Sequence, residues 1–332
     1  MTSIRRNGGV LTGHRARLIA GLVAVLALVA ASTATASAAA TKSRLVTGLG
    51  SGAGSTVGPD GALYVTVGAT GQVVRVDPNT GATSVYASGL PPALVGLGGA
   101  FDIEFLDGTA YILVTVVGAD VGGHDMNGIY RRDGPHSFTV IADIGAYAAA
   151  HPPQTAYFIP TGVQYAMERY QGGFLVTDGH HNRVYRVTLD GHVSQAVAFN
   201  DIVPTGLAVR GNTVYMAEAG PNPHLPVNGR IVSFGTMSPS PVVVAAGGPL
   251  LVDAEWAGNG LYGLSQGHFT PGQGDGSPAD HNTGSLLRAT GGGGFSTIAS
   301  GLDQPTSVEF IGRNAYVVTL GGEVWKVANA RP

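Results

Sequence analysis

The chain of 332 residues has no cysteine, only two lysines (Lys42 and Lys326) and only 12% charged residues. Without cysteine it forms no disulfide, and it has no lipobox that would carry a lipid anchor. Nucleic-acid and membrane-surface partners both select clustered positive charge, so the sparse basic residues argue against either partner. The sequence also lacks helical periodicity, a G-x-S-x-G elbow and an H-E-x-x-H zinc motif.

Glycine, by contrast, is abundant, with 52 residues, about twice the usual share. It follows no Gly-X-Y period, which excludes collagen, and the 44% hydrophobic content excludes a disordered chain. The composition indicates a globular chain dense in tight turns, either two small domains or one large all-β domain.

The first 40 residues are typical of a secretory signal peptide. Four arginines precede the apolar run LIAGLVAVLALVAA at 18–31, and A-x-A sites follow. The run is shorter than the ~20 residues that span a bilayer, so we expect cleavage near residues 38–40 and export. The Arg5–Arg6 pair leaves Sec and twin-arginine export both open. The leader holds four of the 18 basic residues and no acid, so the mature domain, 41–332, is acidic.

One pattern recurs six times: an apolar strand, a turn rich in Gly, Asp or Asn, and a second strand centred on one large residue. The copies lie at 55–66, 102–113, 162–177, 206–217, 253–264 and 307–318. Their central residues are Tyr64, Tyr111, Leu175, Tyr215, Tyr262 and Tyr316. A third element follows each copy, usually two apolar residues and a base as in VVR at 73–75, and a fourth strand follows five of them.

Four short strands in each of six units predict an all-β fold, a six-bladed β-propeller. A β-sandwich with coincidental repeats is the alternative. The last unit lacks a fourth strand, and SRLVTGLG at 43–50 matches the fourth strands elsewhere. We therefore expect the N-terminal strand to pair with the last blade, to close the ring and to cover a free sheet edge.

These repeats carry a family resemblance. The stretch GPDGALYVTVGATGQVVRVDPNTG at 58–81 resembles a blade of the NHL-repeat and gluconolactonase-like propellers. The chain after residue 40 resembles the secreted ScyD/ScyE-type propellers, on the stretches at 140–147, 172–194, 202–209 and 301–310. The resemblance implies a secreted six-bladed propeller without a settled enzymatic role.

The candidate binding residues lie on one predicted face. In a propeller, the links into the first strands and the loops between second and third strands meet around one channel mouth. Five acids align at the start of first strands and are expected to converge there: Asp102, Glu104, Asp253, Glu255 and Glu309. The equivalent positions of the third and fourth blades are assigned to Gln164 and Ala208. Of these acids, Asp102 and Asp253 are the candidate ligands for Ca²⁺ or another divalent cation.

Histidines cluster in the loops of the same face. The candidate ligand-binding residues there are His124, His180, His181, His224, His268 and His281. Long loops on a rigid scaffold often carry function, although His, Asn and Asp also occur in loops because turns are solvated.

The sequence favours a noncatalytic binding propeller over an enzyme. Its ligand would be a small molecule, a glycan or a protein, and the chain is expected to be a monomer that needs no cofactor other than this cation. The alternative is a divalent-metal-dependent hydrolase of the gluconolactonase type, whose metal takes Glu, Asn and Asp ligands. Here Ser55 stands where that family has the Glu, and Thr205 replaces the Asn of its P-N-G signature.

Overall fold

A computed structural model describes residues 39–235, 238–274 and 276–331. It is a six-bladed β-propeller: six four-stranded antiparallel sheets in a ring, one for each predicted repeat. The predicted leader lies outside the described residues, apart from its last two positions. No helix among the described residues is long and apolar enough to cross a membrane.

The strands of each blade are named A to D in order from the channel outwards. The first four blades follow the chain order. Blade 1 contains β2 (Ser55–Val57), β3 (Leu63–Val67), β4 (Gln72–Val76) and β5 (Thr83–Ser88). Blade 2 contains β6 (Gly99–Leu106), β7 (Thr109–Thr115), β8 (Gly128–Gly134) and β9 (Ser137–Asp143). Blade 3 contains β10 (Gln164–Tyr170), β11 (Gly173–Asp178), β12 (Arg183–Thr188) and β13 (Val193–Ala198). Blade 4 contains β14 (Pro204–Arg210), β15 (Thr213–Glu218), β16 (Arg230–Gly235) and β17 (Ser238–Ala246).

The last two blades differ in where their outer strand comes from. Blade 5 contains β18 (Leu251–Ala257), β19 (Gly260–Ser265), β20 (Gly284–Ala289) and β21 (Phe295–Leu302). Blade 6 contains β22 (Pro305–Ile311), β23 (Asn314–Thr319), β24 (Val324–Ala328) and, as its outer strand, β1 (Thr41–Val46). The one α-helix among the described residues, α1 (Ile144–Ala150), links blades 2 and 3 and was not predicted from the sequence.

The large central residues of the repeats fill the core between blades. Tyr64 is 5% exposed and packs edge-on against Tyr86 and Phe105, with ring centroids 4.7 and 4.9 Å away. Tyr262 and Tyr316 are fully buried, and the repeat pattern identified the core correctly except at Tyr215, which is only partly buried and packs edge-on against Trp256. Such edge-to-face aromatic pairs contribute ~0.5–1.5 kcal/mol each beyond the area they bury.

Side-chain hydroxyls join neighbouring blades around the channel. The Thr66 hydroxyl donates to the Phe101 carbonyl of blade 2, at 3.0 Å. Likewise Thr177 of blade 3 donates to the Thr205 carbonyl of blade 4, at 2.7 Å. The Thr205 hydroxyl in turn lies 2.9 Å from the Leu251 carbonyl of blade 5. These bonds satisfy backbone groups at the ends of the A strands, where no neighbouring strand of the same sheet can reach them.

The N-terminal strand β1 lies antiparallel to β24, with Arg44 opposite Trp325. The ammonium group of Lys42 donates to the carbonyls of Ser300 and Gly301 on blade 5, each at 2.6 Å. The Arg44 guanidinium lies 3.0 Å from the Glu323 carboxylate and 4.9 Å from the Trp325 ring. The strand therefore contacts two blades and covers an edge that would otherwise expose unpaired backbone groups.

We predict that a chain beginning at residue 49 melts at a clearly lower temperature than one beginning at residue 39 and associates through the exposed β24 edge. Differential scanning calorimetry and size-exclusion chromatography measure the two effects. If the shorter chain melts unchanged and stays monomeric, β1 does not hold the ring closed.

Candidate functional site: an acidic channel

The six A strands surround a narrow channel lined by carboxylates. Its cavity has a volume of about 40 Å³, enough for a few water molecules or one small ion or head group. Six acidic side chains line this cavity: Asp102, Glu104, Glu168, Asp253, Glu255 and Glu309. The five acids predicted from the sequence do lie together, and a sixth joins them.

Asp102 and Asp253 use both carboxylate oxygens to join blades. One oxygen of Asp102 accepts from the Ile103 amide at 2.9 Å, and the other accepts from the Met167 amide of blade 3 at 2.7 Å. Asp253 accepts in the same way from the Ala254 amide and from the Val308 amide of blade 6, both at 2.8 Å. Both candidate metal ligands are thus already committed to backbone amides.

Glycines of the preceding blades make room for these two aspartates. A Cβ atom on Gly54 would lie 2.1 Å from an Asp102 carboxylate oxygen, and one on Gly206 would lie 2.3 Å from an Asp253 oxygen. A larger residue would displace the carboxylate from its bonds, because the nearby aspartate backbone leaves no free space. The sequence therefore needs glycine at these two positions for packing.

Four glutamates form a second level of the channel, which we call the glutamate tier: Glu104, Glu168, Glu255 and Glu309. Each is paired across its A–B hairpin with the central residue of its repeat, Tyr111, Leu175, Tyr262 or Tyr316 respectively. They therefore occupy one repeat position, two residues further from the B–C loops than Asp102 and Asp253. The tier lies toward the A–B hairpins, at the end of the channel away from the histidine loops.

The sequence alignment missed Glu168. The alignment of the six repeats placed Gln164 at this position because it gave the third repeat a long turn. In the structure, strand β10 continues up to Tyr170, and the turn consists only of Gln171 and Gly172. Gln164 instead lies four residues nearer the B–C loops, paired with Asp178. Counting back from Leu175 through a two-residue turn would have found Glu168.

One cation approaches the tier. The Arg169 guanidinium lies 3.3 Å from the Glu104 carboxylate, and its side chain is 57% exposed. Among the described residues, the structure gives Glu168, Glu255 and Glu309 no ion pair. Arg169 and Glu168 also line a recess at the A–B end, together with Leu106, Tyr170, Gln171, Gly172 and Val209.

Burial raises the pKa of every acid in the channel, and repulsion between carboxylates adds to this for all of them except Asp253. For Asp102 the main cause is desolvation, to which Glu104 and Asp253 add repulsion. Desolvation raises the pKa of Asp253 to about 7. The pKa values of Glu255 and Glu309 are well above the usual range, first through desolvation and then through repulsion by neighbouring acids.

A carboxyl group whose folded-state pKa is raised stabilises the protein below its unfolded pKa, and this contribution is lost as pH rises through the folded value. We predict that Glu255→Gln with Glu309→Gln raises the melting temperature by at least ~2 °C at pH 8, with little change at pH 5. The comparison with wild type at each pH removes the opposing effect of His181, whose buried imidazole has a lowered pKa.

Glu323→Gln is the matched control, because Glu323 lies outside the channel and pairs with Arg44. Its effect on melting should not depend on pH between 5 and 8. An equal shift of the double variant at both pH values would show that the tier glutamates do not repel one another.

The histidine loops lie at the other end of the channel, and three of the six predicted histidines support the loop structure. His180 Nε2 accepts from the Phe158 and Ile159 amides at 2.8 and 3.0 Å. His181, 1% exposed, lies between the Ile159 carbonyl and the Arg183 guanidinium. His224 is buried, with Nδ1 2.6 Å from the Gly220 carbonyl.

The other three predicted histidines are exposed and lie on the loops of two blades, blade 2 and blade 5. His281 pairs with Asp303 at 2.8 Å, and its side chain is 73% exposed. His124 and His268 lie on the loops of blades 2 and 5, with exposed side chains. Within the described part of the chain, no group of three or more His, Asp or Glu is placed to hold a metal ion.

No protein-family model and no curated protein matches this sequence. Solved structures resemble its fold. A gluconolactonase from Xanthomonas campestris matches with a TM-score of 0.61 and 11% identity, over 87% of this chain and 89% of the other. A luciferin-regenerating enzyme matches at 0.59 and 12%, over 87% and 95%. Virginiamycin B lyase from Staphylococcus aureus matches at 0.53 and 13%, over 87% and 98%. At these identities the likeness shows a shared propeller fold.

Proposed function

We propose that the protein is a noncatalytic binding propeller whose glutamate tier binds an ammonium or guanidinium group of its ligand. The observation that carries this proposal is the Arg169–Glu104 contact, in which an exposed cationic side chain of the protein itself reaches the glutamate tier from the recess at the A–B end. Guanidinium and ammonium groups pair strongly with carboxylates when both are partly desolvated.

The tier glutamates that Arg169 does not pair with also favour a cationic ligand group. Glu255 and Glu309 are repelled by neighbouring carboxylates, and this repulsion contributes to their raised pKa values. A bound cation would relieve that repulsion and lower their pKa values, so binding should release protons at neutral pH. The small cavity would admit one head group, and the recess beside Arg169 shares Glu168 with the lining of that cavity.

A metal-dependent lactone hydrolase is the alternative. Against it, both oxygens of Asp102 and of Asp253 accept backbone amides, two of which belong to the next blade, so a metal ion would have to share oxygens that already join the blades. Thr205, which replaces the Asn of the gluconolactonase signature, likewise bonds to backbone carbonyls. Likeness to gluconolactonases at 11% identity supports the fold alone.

The test is calorimetric titration with 1,4-diaminobutane, and separately with CaCl₂, at pH 7. We predict that diaminobutane binds with proton release and that Glu255→Gln with Glu309→Gln lowers its affinity at least tenfold. Arg169→Gln should raise the affinity, because it removes the competing internal cation. Glu323→Gln is the control and should leave the affinity unchanged.

Absence of diaminobutane binding to both the wild type and Arg169→Gln would overturn the proposal. Turnover of gluconolactone with Ca²⁺, Mg²⁺, Zn²⁺ or Mn²⁺ that Asp253→Ala abolishes would instead favour the hydrolase.

We also propose that the chain is a secreted, monomeric propeller of the ScyD/ScyE type, exported through the leader at residues 1–40. The leader composition and the repeat motifs support this proposal. N-terminal sequencing of protein expressed from the full chain should recover, outside the cell, a species that begins near residue 39. Retention of the intact N-terminus inside the cell would contradict export.

A further inference from the structure

The B–C loops and the links between blades form one face of the propeller, which we call the loop face. Most of the exposed large hydrophobic side chains of the described residues lie on it: Leu94, Val95, Met126, Tyr157, Phe158, Leu225 and Val227. The four others lie on D strands or a C–D turn, on or near the outer wall of the ring: Val85, Leu189, Val242 and Val243. Apolar side chains concentrated on one face of a soluble protein indicate an interaction surface.

Five of these side chains lie on segments that contact one another, and we call them the apolar patch: Leu94, Val95, Met126, Tyr157 and Phe158. Leu94 lies against Gly123 of the blade 2 loop, the loop that also carries Met126. In the same loop, Asp120 accepts from the Thr161 amide at 3.1 Å, which ties the loop to the segment that carries Tyr157 and Phe158.

Each of the two aromatic residues packs against a histidine on one edge. The His180 ring lies edge-on to Phe158 with centroids 4.3 Å apart, and its Nε2 accepts from the Phe158 amide. The His181 ring lies edge-on to Tyr157 at 5.2 Å and is anchored by Arg183. Phe158 nevertheless remains 66% exposed and Tyr157 42% exposed. Aromatic side chains held in place lose little entropy on binding, which favours tight association.

The negative charge of the loop face favours a basic partner. The connecting segments of this face contain no Lys or Arg at any described position, whereas they contain six described acids: Asp120, Asp125, Asp201, Asp280, Asp303 and Glu323. The adjoining cations are neutralised or buried, since Arg230 pairs with Glu218, Arg44 pairs with Glu323, and Arg183 is 2% exposed. Asp125, next to Met126 in the patch, is exposed.

We propose that the apolar patch docks a protein segment that presents apolar side chains flanked by Lys or Arg. The apolar side chains would cover Tyr157, Phe158 and Met126, and the basic residues would lie over Asp125 and extend toward the other acids of the loop face. Complementary charge of this kind raises association rates and rejects acidic partners. The inference is independent of the proposed cation site, because the patch lies at the opposite end of the channel from the glutamate tier.

The test measures binding of synthetic peptides to the whole domain by fluorescence anisotropy. The probes are an amphipathic Leu/Lys peptide of 18 residues, the same peptide with Glu for Lys, and one with Ser for Leu. We expect the Leu/Lys peptide to bind at least tenfold more tightly than either of the others. Its affinity should fall at least tenfold in Tyr157→Ser with Phe158→Ser, and should fall with added salt.

The matched control is Val242→Ser with Val243→Ser, which removes two exposed apolar side chains from the outer strand β17. It should bind the Leu/Lys peptide like the wild type. Phe158→Gln alone provides a second variant if the Tyr157/Phe158 pair lowers the melting temperature, and it should weaken binding at least threefold.

Equal loss in the control variant, or equal binding of the Glu peptide, would overturn the proposal. So would binding of a neutral oligosaccharide such as cellohexaose to the patch in place of the Leu/Lys peptide. Concentration-dependent dimerisation that the Tyr157/Phe158 variant abolishes would assign the patch to a second copy of this chain and would likewise overturn it.

Discussion

The structure depends on the hydrogen bonds between neighbouring A strands, which surround a narrow channel. Neighbouring A strands belong to different sheets, so no strand ladder can pair the backbone groups that they turn toward each other. Asp102 and Asp253 reach across to amides of the next blade, and threonine hydroxyls reach across to carbonyls. Since an unpaired buried backbone group costs about 1–3 kcal/mol, these side chains position the blades and with them every group in the channel.

The channel has an approximate two-fold order that follows from this bonding. Asp102 on blade 2 accepts a hydrogen bond from blade 3. Asp253, three blades further around the ring on blade 5, accepts one from blade 6. The glutamates follow the same order, because Glu104 and Glu255 lie three blades apart at the same repeat position, and so do Glu168 and Glu309. Arg169 breaks the symmetry, because Phe310 occupies its equivalent position. The ion pair of the tier therefore belongs to one half of the ring, and among the described residues Glu255 and Glu309 of the other half have no ion pair.

The fold could be predicted because its signals repeat: six central residues, each followed by a short apolar strand, define the blades whatever the loops contain. The tier was predicted in part, because Glu104, Glu255 and Glu309 precede turns of ordinary length. Glu168 was missed because the third repeat was assigned a longer turn than the two residues, Gln171 and Gly172, that join its first two strands. The roles of His180 and His181 could not be predicted either, since they depend on Phe158 and Ile159, whose position follows from the packing of the link between blades.

The same repeat that builds the core also holds basic residues in one half of the blade. The base of the third strand lies over the central aromatic ring of its own blade in two cases, Arg288 over Tyr262 at 5.9 Å and Lys326 over Tyr316 at 5.6 Å. The central ring lies in the half of the blade near the A–B hairpin, so the bases lie in that half as well. The connecting segments at the other end contain no Lys or Arg at any described position, so a cation reaches their acids only from a strand, as Arg44 reaches Glu323. The loop face, which carries Tyr157 and Phe158, therefore differs in charge from the end where the repeat holds its bases.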